Sequence, residues 1–222
     1  MATGWPAVLT EGSVRLRPLH RSDAHAWLAL RGANAAWLEP WDATSPVALA
    51  GPRPTFGQFV RTLAAQGRDG SALPFGIEYA GELVGQLTVS TIIYGSLRSA
   101  AIGYWVSQHV AGRGITPTAV AMATDHCFGA LGLHRIEVNI RPENQASLRV
   151  VHKLGFRPEG LRRRYLHIDG AWRDHATFAI TPEEVPDGLL PRWRRYVADR
   201  AYGASGPAPA DGPQSQQSQQ PR

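Results

Sequence analysis

The run "SAAIGYWVSQHVAGRGITPTAV", Ser99 to Val120, constrains the fold more than any other stretch of the chain. "SAAIGYWVS" reads as a strand, and Gly112 and Gly114 then flank an arginine ahead of residues rich in Ala, Val and Met. Glycine takes backbone angles that other residues avoid, and its missing side chain lets a ligand approach the main chain. Thr116 is a good N-cap and Pro117 suits the first helical position, so the spacing predicts a loop running straight into a helix from Pro117 to about Leu131, stopped by Gly132. The free N–H groups and positive dipole end of such a helix favour an anion, and a phosphate is the expected guest.

The remaining segments sort around this one. "SVRLRPL" alternates as a first strand, and "RSDAHAWLALR" has helical spacing with Ser22 as its cap. A Pro- and Trp-rich loop, Asn34 to Pro54, leads to a helix over Thr55 to Gln66. "LPFGIEYAGELVGQLTVSTII" predicts a hairpin turning near Ala80 and Gly81. After the glycine-loop helix, "HRIEVNIR" reads as a strand and "ENQASLRVVHKL" as a helix closed by Gly155. "RRRYLHIDGAWRDHATFAI" is a last hairpin turning on Asp169-Gly170. The order of elements describes an α/β (α+β) fold in a single domain, a mixed sheet with helices on its faces. The glycine loop follows the carboxyl end of a strand, where open sheets of this kind bind ligands. Residues 1–203 are assigned to the domain, and 204–222, "ASGPAPADGPQSQQSQQPR", to a disordered tail, because that stretch has no large apolar residue to bury.

Charge and cysteine content narrow the classes. The net charge of +5 comes almost wholly from scattered arginines, with Lys153 the only lysine, which gives little support to nucleic-acid binding and suits an acidic cofactor or substrate. Cys127 is the only cysteine, so no intrachain disulfide is expected. "MATGWPAVLTEG" is not read as a signal peptide and no apolar run suits a membrane helix, so a soluble cytoplasmic protein is expected. The His residues are dispersed without metal-ligand spacing, and no metal is expected.

Two motifs in this order resemble the GCN5-related N-acetyltransferases, the GNAT family. That family carries a Q/R-x-x-G-x-G/A loop; here "AGRGIT" places Gly114 on the glycine, Thr116 on the last small position and Ala111 where Gln or Arg is usual. "ENQASLRVVHKLGF" matches the second signature, an Asn followed by a Leu-Gly-Phe. The resemblance implies a mostly antiparallel GNAT sheet and acetyl-CoA as cofactor. It implies that the amides of Gly112, Arg113, Gly114, Ile115 and Thr116 hold the pyrophosphate. Asn144 and the strand residues Tyr104, Trp105 and Val106 would then meet the pantetheine arm. "RGANAAWLEPWDATSP" and "GAWRDHATFAI" further resemble the RimJ/RimL ribosomal-protein-alanine acetyltransferase branch, over about residues 12 to 182.

Acetyl transfer to an amine needs a neutral amine placed against a thioester, donors for the developing oxyanion, and an acid for the thiolate. The tyrosine that many members use falls on Val151 here, and by resemblance Ser147, one helical turn earlier, takes its place. The alternative is that Ser147 only satisfies a helix end. For the base, the family's glutamate slot falls near Tyr165 or Leu166; His167, Asp169, Glu137, Glu39 and Asp42 are nearby acids and bases that read better as structural or exposed groups. An N-terminal amine, with a pKa of about 8, is partly neutral without help, and water can take its proton.

Trp37 and Trp41 bracket Pro40 and either wall a substrate groove or cap the core. Cys127 reads as a buried small hydrophobe, and "RWRR" at Arg192 to Arg195 as a solvated face. Arg162 to Arg164 are a solvated face too, or a contact for ribosomal RNA or an acidic peptide. The expected activity is therefore acetyl transfer to the N-terminal amine (Ala or Ser) of a ribosomal or other protein, by a monomer or homodimer that could associate with the ribosome. The alternatives are a small amine such as an antibiotic or amino acid, and a catalytically silent acyl-CoA sensor.

Overall fold

The computed structural model describes residues 4–47 and 54–204. The tail expected from Ala204 onward lies outside the described residues apart from Ala204 itself, which ends the last helix, and part of the loop expected before Pro54 lies outside them too. The element order is β1 (Leu9–Glu11), β2 (Val14–Pro18), α1 (Ala24–Ala33), α2 (Ala35–Leu38), α3 (Phe56–Asp69), β3 (Leu73–Tyr79), β4 (Glu82–Ile93), β5 (Ser99–Val106), α4 (Ile115–Gly129), β6 (Arg135–Ile140), α5 (Gln145–Leu154), β7 (Arg157–Ile168), β8 (Ala171–Ile180) and α6 (Leu189–Ala204).

One sheet runs in the order β1-β2-β3-β4-β5-β6-β8-β7. Every neighbouring pair is antiparallel except β5 and β6. Side-chain alternation decides which face meets the helices. On β6, Ile136, Val138 and Ile140 are buried in the core, while Arg135, Glu137 and Asn139 point to the other face. Helix α4 is apolar almost all round because the sheet lies under it and α5 and α6 pack against it, which buries Ile115, Val120, Met122 and Cys127. Helix α5 is amphipathic, burying Val150, Val151 and Leu154, and it ends where Gly155 turns left-handed.

The parallel pair β5 and β6 is joined only at Ser99–Arg135, Ala100–Ile136 and Ala101–Glu137. Beyond that point β5 keeps β4 on one edge and β6 keeps β8, and their facing edges separate. The sheet is opened from within, at the end of β5 that leads to the glycine loop.

Several local expectations change. The glycine-loop helix begins at Ile115, not Pro117, because Gly114 at φ +81° is itself the N-cap, and Thr116 and Pro117 lie inside the first turn. Ser22 is not a cap: it sits in a short 3-10 turn, Arg21–Asp23, whose Asp23 accepts the His20 amide at 2.7 Å and is forked by Arg17. The loop expected after Asn34 contains α2 and a 3-10 turn, Glu39–Trp41. The first strand has a partner, β1. "RWRR" is a solvated face only in part: it lies in α6, with Arg194 and Arg195 exposed and Trp193 buried against α4.

Candidate active site

A cleft of about 570 Å³ occupies the opening between β5 and β6 and reaches both faces of the sheet. Register assigns its walls. Gln86, Thr88 and Ser90 on β4 lie opposite Trp105, Gly103 and Ala101 on β5, and these share the face from which Glu137 and Asn139 project. Trp37, Trp41 and Asp42 close this side. Tyr104 projects toward the helices, where Ala111, Gly112, Thr116, Asn144, Ser147 and Val150 form the other wall.

The glycine loop and the first turn of α4 stand at the helix-side end. Among the described residues, none of the amides from Gly112 to Thr116 donates to another group, while the Gly114 carbonyl accepts from Thr118. Pro117 has no N–H to satisfy, which suits its place among the unpaired donors of a first turn. Gly112 has φ +85° and open space where a Cβ would stand, so its main chain is bare to a ligand. A recess of about 60 Å³ continues from the cleft and is lined by Gly112, Gly114, Ile115 and Thr116, with Arg149 and Lys153 of α5 beside them. Amide donors, a helix N-terminus and two cations fit the diphosphate of a nucleotide-like cofactor. The Ile115 side chain is buried in the core, so only its backbone faces this recess, and Arg113 is exposed and lines neither space.

Asn144 is the N-cap of α5: its Oδ1 accepts the Ser147 amide at 3.0 Å. That leaves the Asn144 amide N–H₂ without a bond among the described residues and relieves Ser147 of any capping role. The Ser147 hydroxyl makes no hydrogen bond with the described residues and lines the cleft. The Tyr104 hydroxyl donates to the Ser147 carbonyl at 3.4 Å, and burial of the phenol pushes its pKa up, so it stays protonated. Val151, where a family tyrosine would stand, is wholly buried in the core.

The candidate bases are engaged elsewhere. Glu137 is held between Arg135 and Arg162, Asp42 by Arg31, and Asp169 lies at a hairpin turn facing Arg173. The His167 ring shares a hydrogen bond of 2.8 Å with Thr44, and Glu39, Tyr165 and Leu166 are exposed. Glu143 lines the cleft but is paired with Arg141 at 3.2 Å.

Trp37 and Trp41 both line the cleft, and each is fixed. The Trp37 indole donates to the Val106 carbonyl at 3.2 Å, and Arg141 stacks over Trp41 while bonding the Pro40 carbonyl at 2.7 Å. A buried knot completes the anchoring: Asn34 donates to Ser107 Oγ and accepts the Gln108 amide, both at 2.8 Å, and Ser107 bonds the His109 ring at 2.7 Å. Sequence reading did not identify this knot, nor Gln86, Thr88, Ser90, Arg149 and Lys153. For the last pair a signal existed, the sole lysine and an arginine one helical turn apart. Among the described residues, no group of three or more His, Cys, Asp or Glu side chains could hold a metal, and no helix is long and apolar enough to cross a membrane.

Residues 13–157 match the acetyltransferase (GNAT) domain family. The chain is a member of that family. This GNAT acetyltransferase is 44% identical to RimJ of Mycobacterium smegmatis, solved in complex with CoA-disulfide; the alignment covers 90% of this chain and 98% of that one, with a TM-score of 0.82. It is 29% identical to the ribosomal protein uS5-alanine N-acetyltransferase of Escherichia coli, across 80% of this chain and 93% of the relative. It is 34% identical to the Bacillus subtilis protein named Probable N-acetyltransferase YjcK, across 76% and 93%.

Proposed function

We propose that this GNAT enzyme moves an acetyl group from acetyl-CoA to the N-terminal α-amine of a protein, a ribosomal protein beginning with Ala or Ser. The observation that carries the reading is the opening between β5 and β6, which lets a donor on the helix side and an amine on the opposite side meet within the sheet. Acetyl-CoA supplies a thioester whose carbonyl carbon the amine attacks, so that a C–N bond forms as the C–S bond breaks.

This chain's residues divide the remaining work. The amides of Gly112 to Thr116, with Arg149 and Lys153, bind the diphosphate. The Asn144 amide and the edge of β5 from Tyr104 to Val106, where the Val106 carbonyl is already taken by the Trp37 indole, orient the pantetheine arm. Ser147 passes its hydroxyl proton to the departing sulfur as it takes one from water, so that CoA leaves as the thiol and the serine ends unchanged. The carboxylates around the cleft are engaged by arginines, so the proton lost by the amine passes to water. An amine with a pKa of about 8 permits this, because a useful fraction is neutral near pH 7.

The protein acceptor is supported by the similarity to RimJ and to the uS5-alanine enzyme, and by the acceptor-side wall. That wall is built from Trp37, Trp41 and Trp105, and its carboxylates Asp42 and Glu143 are neutralised by Arg31 and Arg141. Such a mouth suits a peptide with one amine better than a polycation. The test is thiol release from acetyl-CoA with a panel of peptides and small amines. Turnover confined to peptides starting in Ala or Ser sustains the reading; turnover confined to a small amine replaces the acceptor; CoA binding without turnover on any amine leaves a sensor.

A further inference from the structure

The glycine loop is supported from behind by a helix outside the matched family region. Trp193 lies in α6, beyond residue 157, and is buried. Its indole Nε1–H donates to Thr118 Oγ1 at 2.8 Å, and that hydroxyl in turn donates to the Gly114 carbonyl at 2.9 Å. The Thr118 amide reaches the same carbonyl at 3.1 Å. The indole edge is close as well: a Cβ built on Gly114 would stand 3.5 Å from Trp193 Cζ2.

We propose that Trp193 is a positioning residue for cofactor binding, acting through Thr118 to fix the peptide plane between Gly114 and Ile115. The inference rests on the reading that this loop holds the diphosphate of acetyl-CoA. The carbonyl of Gly114 and the amide of Ile115 belong to one rigid peptide unit, so holding the carbonyl aims the amide. A hydroxyl that accepts a hydrogen bond becomes a better donor, so the indole strengthens the second link as well as orienting it. Glycine at φ +81° has a wide choice of backbone angles, and without this chain the loop would have to select its binding geometry as the ligand arrives.

Helix α6 is tied in place independently of Trp193. Both carboxylate oxygens of Asp125 on α4 accept its first amides, Leu189 at 2.6 Å and Leu190 at 2.9 Å. Trp193 also stacks on Tyr196. The two links to Gly114 can therefore be cut while the helix keeps its anchor.

The experiment compares CoA affinity by titration calorimetry, together with steady-state kinetics, in the full chain and in Trp193→Phe, Thr118→Val, the double variant and Gly114→Val. Trp193→Phe and Thr118→Val are each expected to weaken CoA binding by roughly tenfold, the usual loss for a hydrogen-bonded positioning link. They should raise the KM for acetyl-CoA to match, with kcat and the acceptor KM unchanged, and the double variant should lose no more than the worse single one, because the links are in series. Leu16→Val, at a fully buried position of β2, supplies a comparable fall in Tm without touching the hydrogen bonds from Trp193 to Gly114. If it weakens CoA binding as much, or if the Trp193 and Thr118 variants bind CoA normally, the positioning role is overturned. If Gly114→Val itself binds CoA as the wild type does, the diphosphate reading fails, and the inference fails with it.

Discussion

Oδ1 of Asn144 accepts the backbone amide of Ser147 at 3.0 Å, so the residue that caps α5 frees the serine hydroxyl for the cleft. The consequence is separable. Ser147→Ala should leave the melting temperature nearly unchanged and lower kcat by about 100-fold, the lower end of what a positioned proton donor contributes. Pre-steady-state thiol release locates the loss in the chemical step, and an unchanged kcat would remove Ser147 from the mechanism.

Asn144→Ala should behave differently because two roles are lost together. Removing the cap costs about 1 kcal/mol of stability, read by denaturant titration, and CoA affinity should fall at the same time. Asn144→Asp keeps an acceptor for the Ser147 amide and is expected to restore stability without restoring the affinity that an N–H₂ donor provides.

Cys127 lies at zero exposure in the middle of α4, and burial pushes its thiol pKa up to about 12. It is expected to resist thiol reagents at pH 8 in the native protein and to react at once in denaturant. Acyl transfer through this cysteine is excluded on the same ground, so initial-rate plots against both substrates should intersect, as for a ternary complex.

His175 is buried, donates Nδ1–H to the Arg173 carbonyl at 3.1 Å and packs edge-on against Tyr165. Desolvation holds its pKa below the ordinary 6.5, with Arg141 acting in the same direction and the Arg173 carbonyl, Glu143 and Asp174 opposing. The unfolded chain then binds this proton more readily than the folded one, so the neutral ring favours folding above pH 6.5 and stability is lost as pH falls below it. In His175→Gln, the decline in Tm between neutral and mildly acidic pH should be shallower than in wild type.

Trp41→Ala should raise the KM for a peptide acceptor and leave CoA affinity untouched if, as proposed, the amine enters on the side where Trp41 lines the cleft with Arg141 stacked on it. A change in CoA affinity instead would mean that the segment carrying Trp37 and Trp41 shapes the cofactor wall.

Periodicity made most elements legible, because β6 and α5 carry their burial pattern in their own residues. What escaped depends on partners distant in sequence. Helix α6 is capped by Asp125 rather than by a neighbour, and its "RWRR" looks solvent-facing until Trp193 is seen against Thr118. The start of α4 was misplaced because Gly114, in a left-handed conformation, caps without a side chain, whereas Thr116 has the side chain but sits in the first turn. Gly112 and Thr116 were found from the loop-to-helix pattern, Asn144 and Ser147 only through the family resemblance, and the four line one cleft. The Asn34–Ser107–His109 knot could not have been, since nothing local distinguishes those polar residues from surface ones.

The interrupted pairing of β5 and β6 turns the sheet into a partition with an aperture. Trp37, Trp41, Gln86, Thr88 and Ser90 stand on one side of it; Gly112, Thr116, Asn144, Ser147 and Lys153 stand on the other. The two sets are tied at one place, where Trp37 bonds the Val106 carbonyl and Asn34 is knotted to Ser107 and Gln108. An aperture of this kind lets two molecules approach one point from opposite faces of the sheet without sharing an entrance.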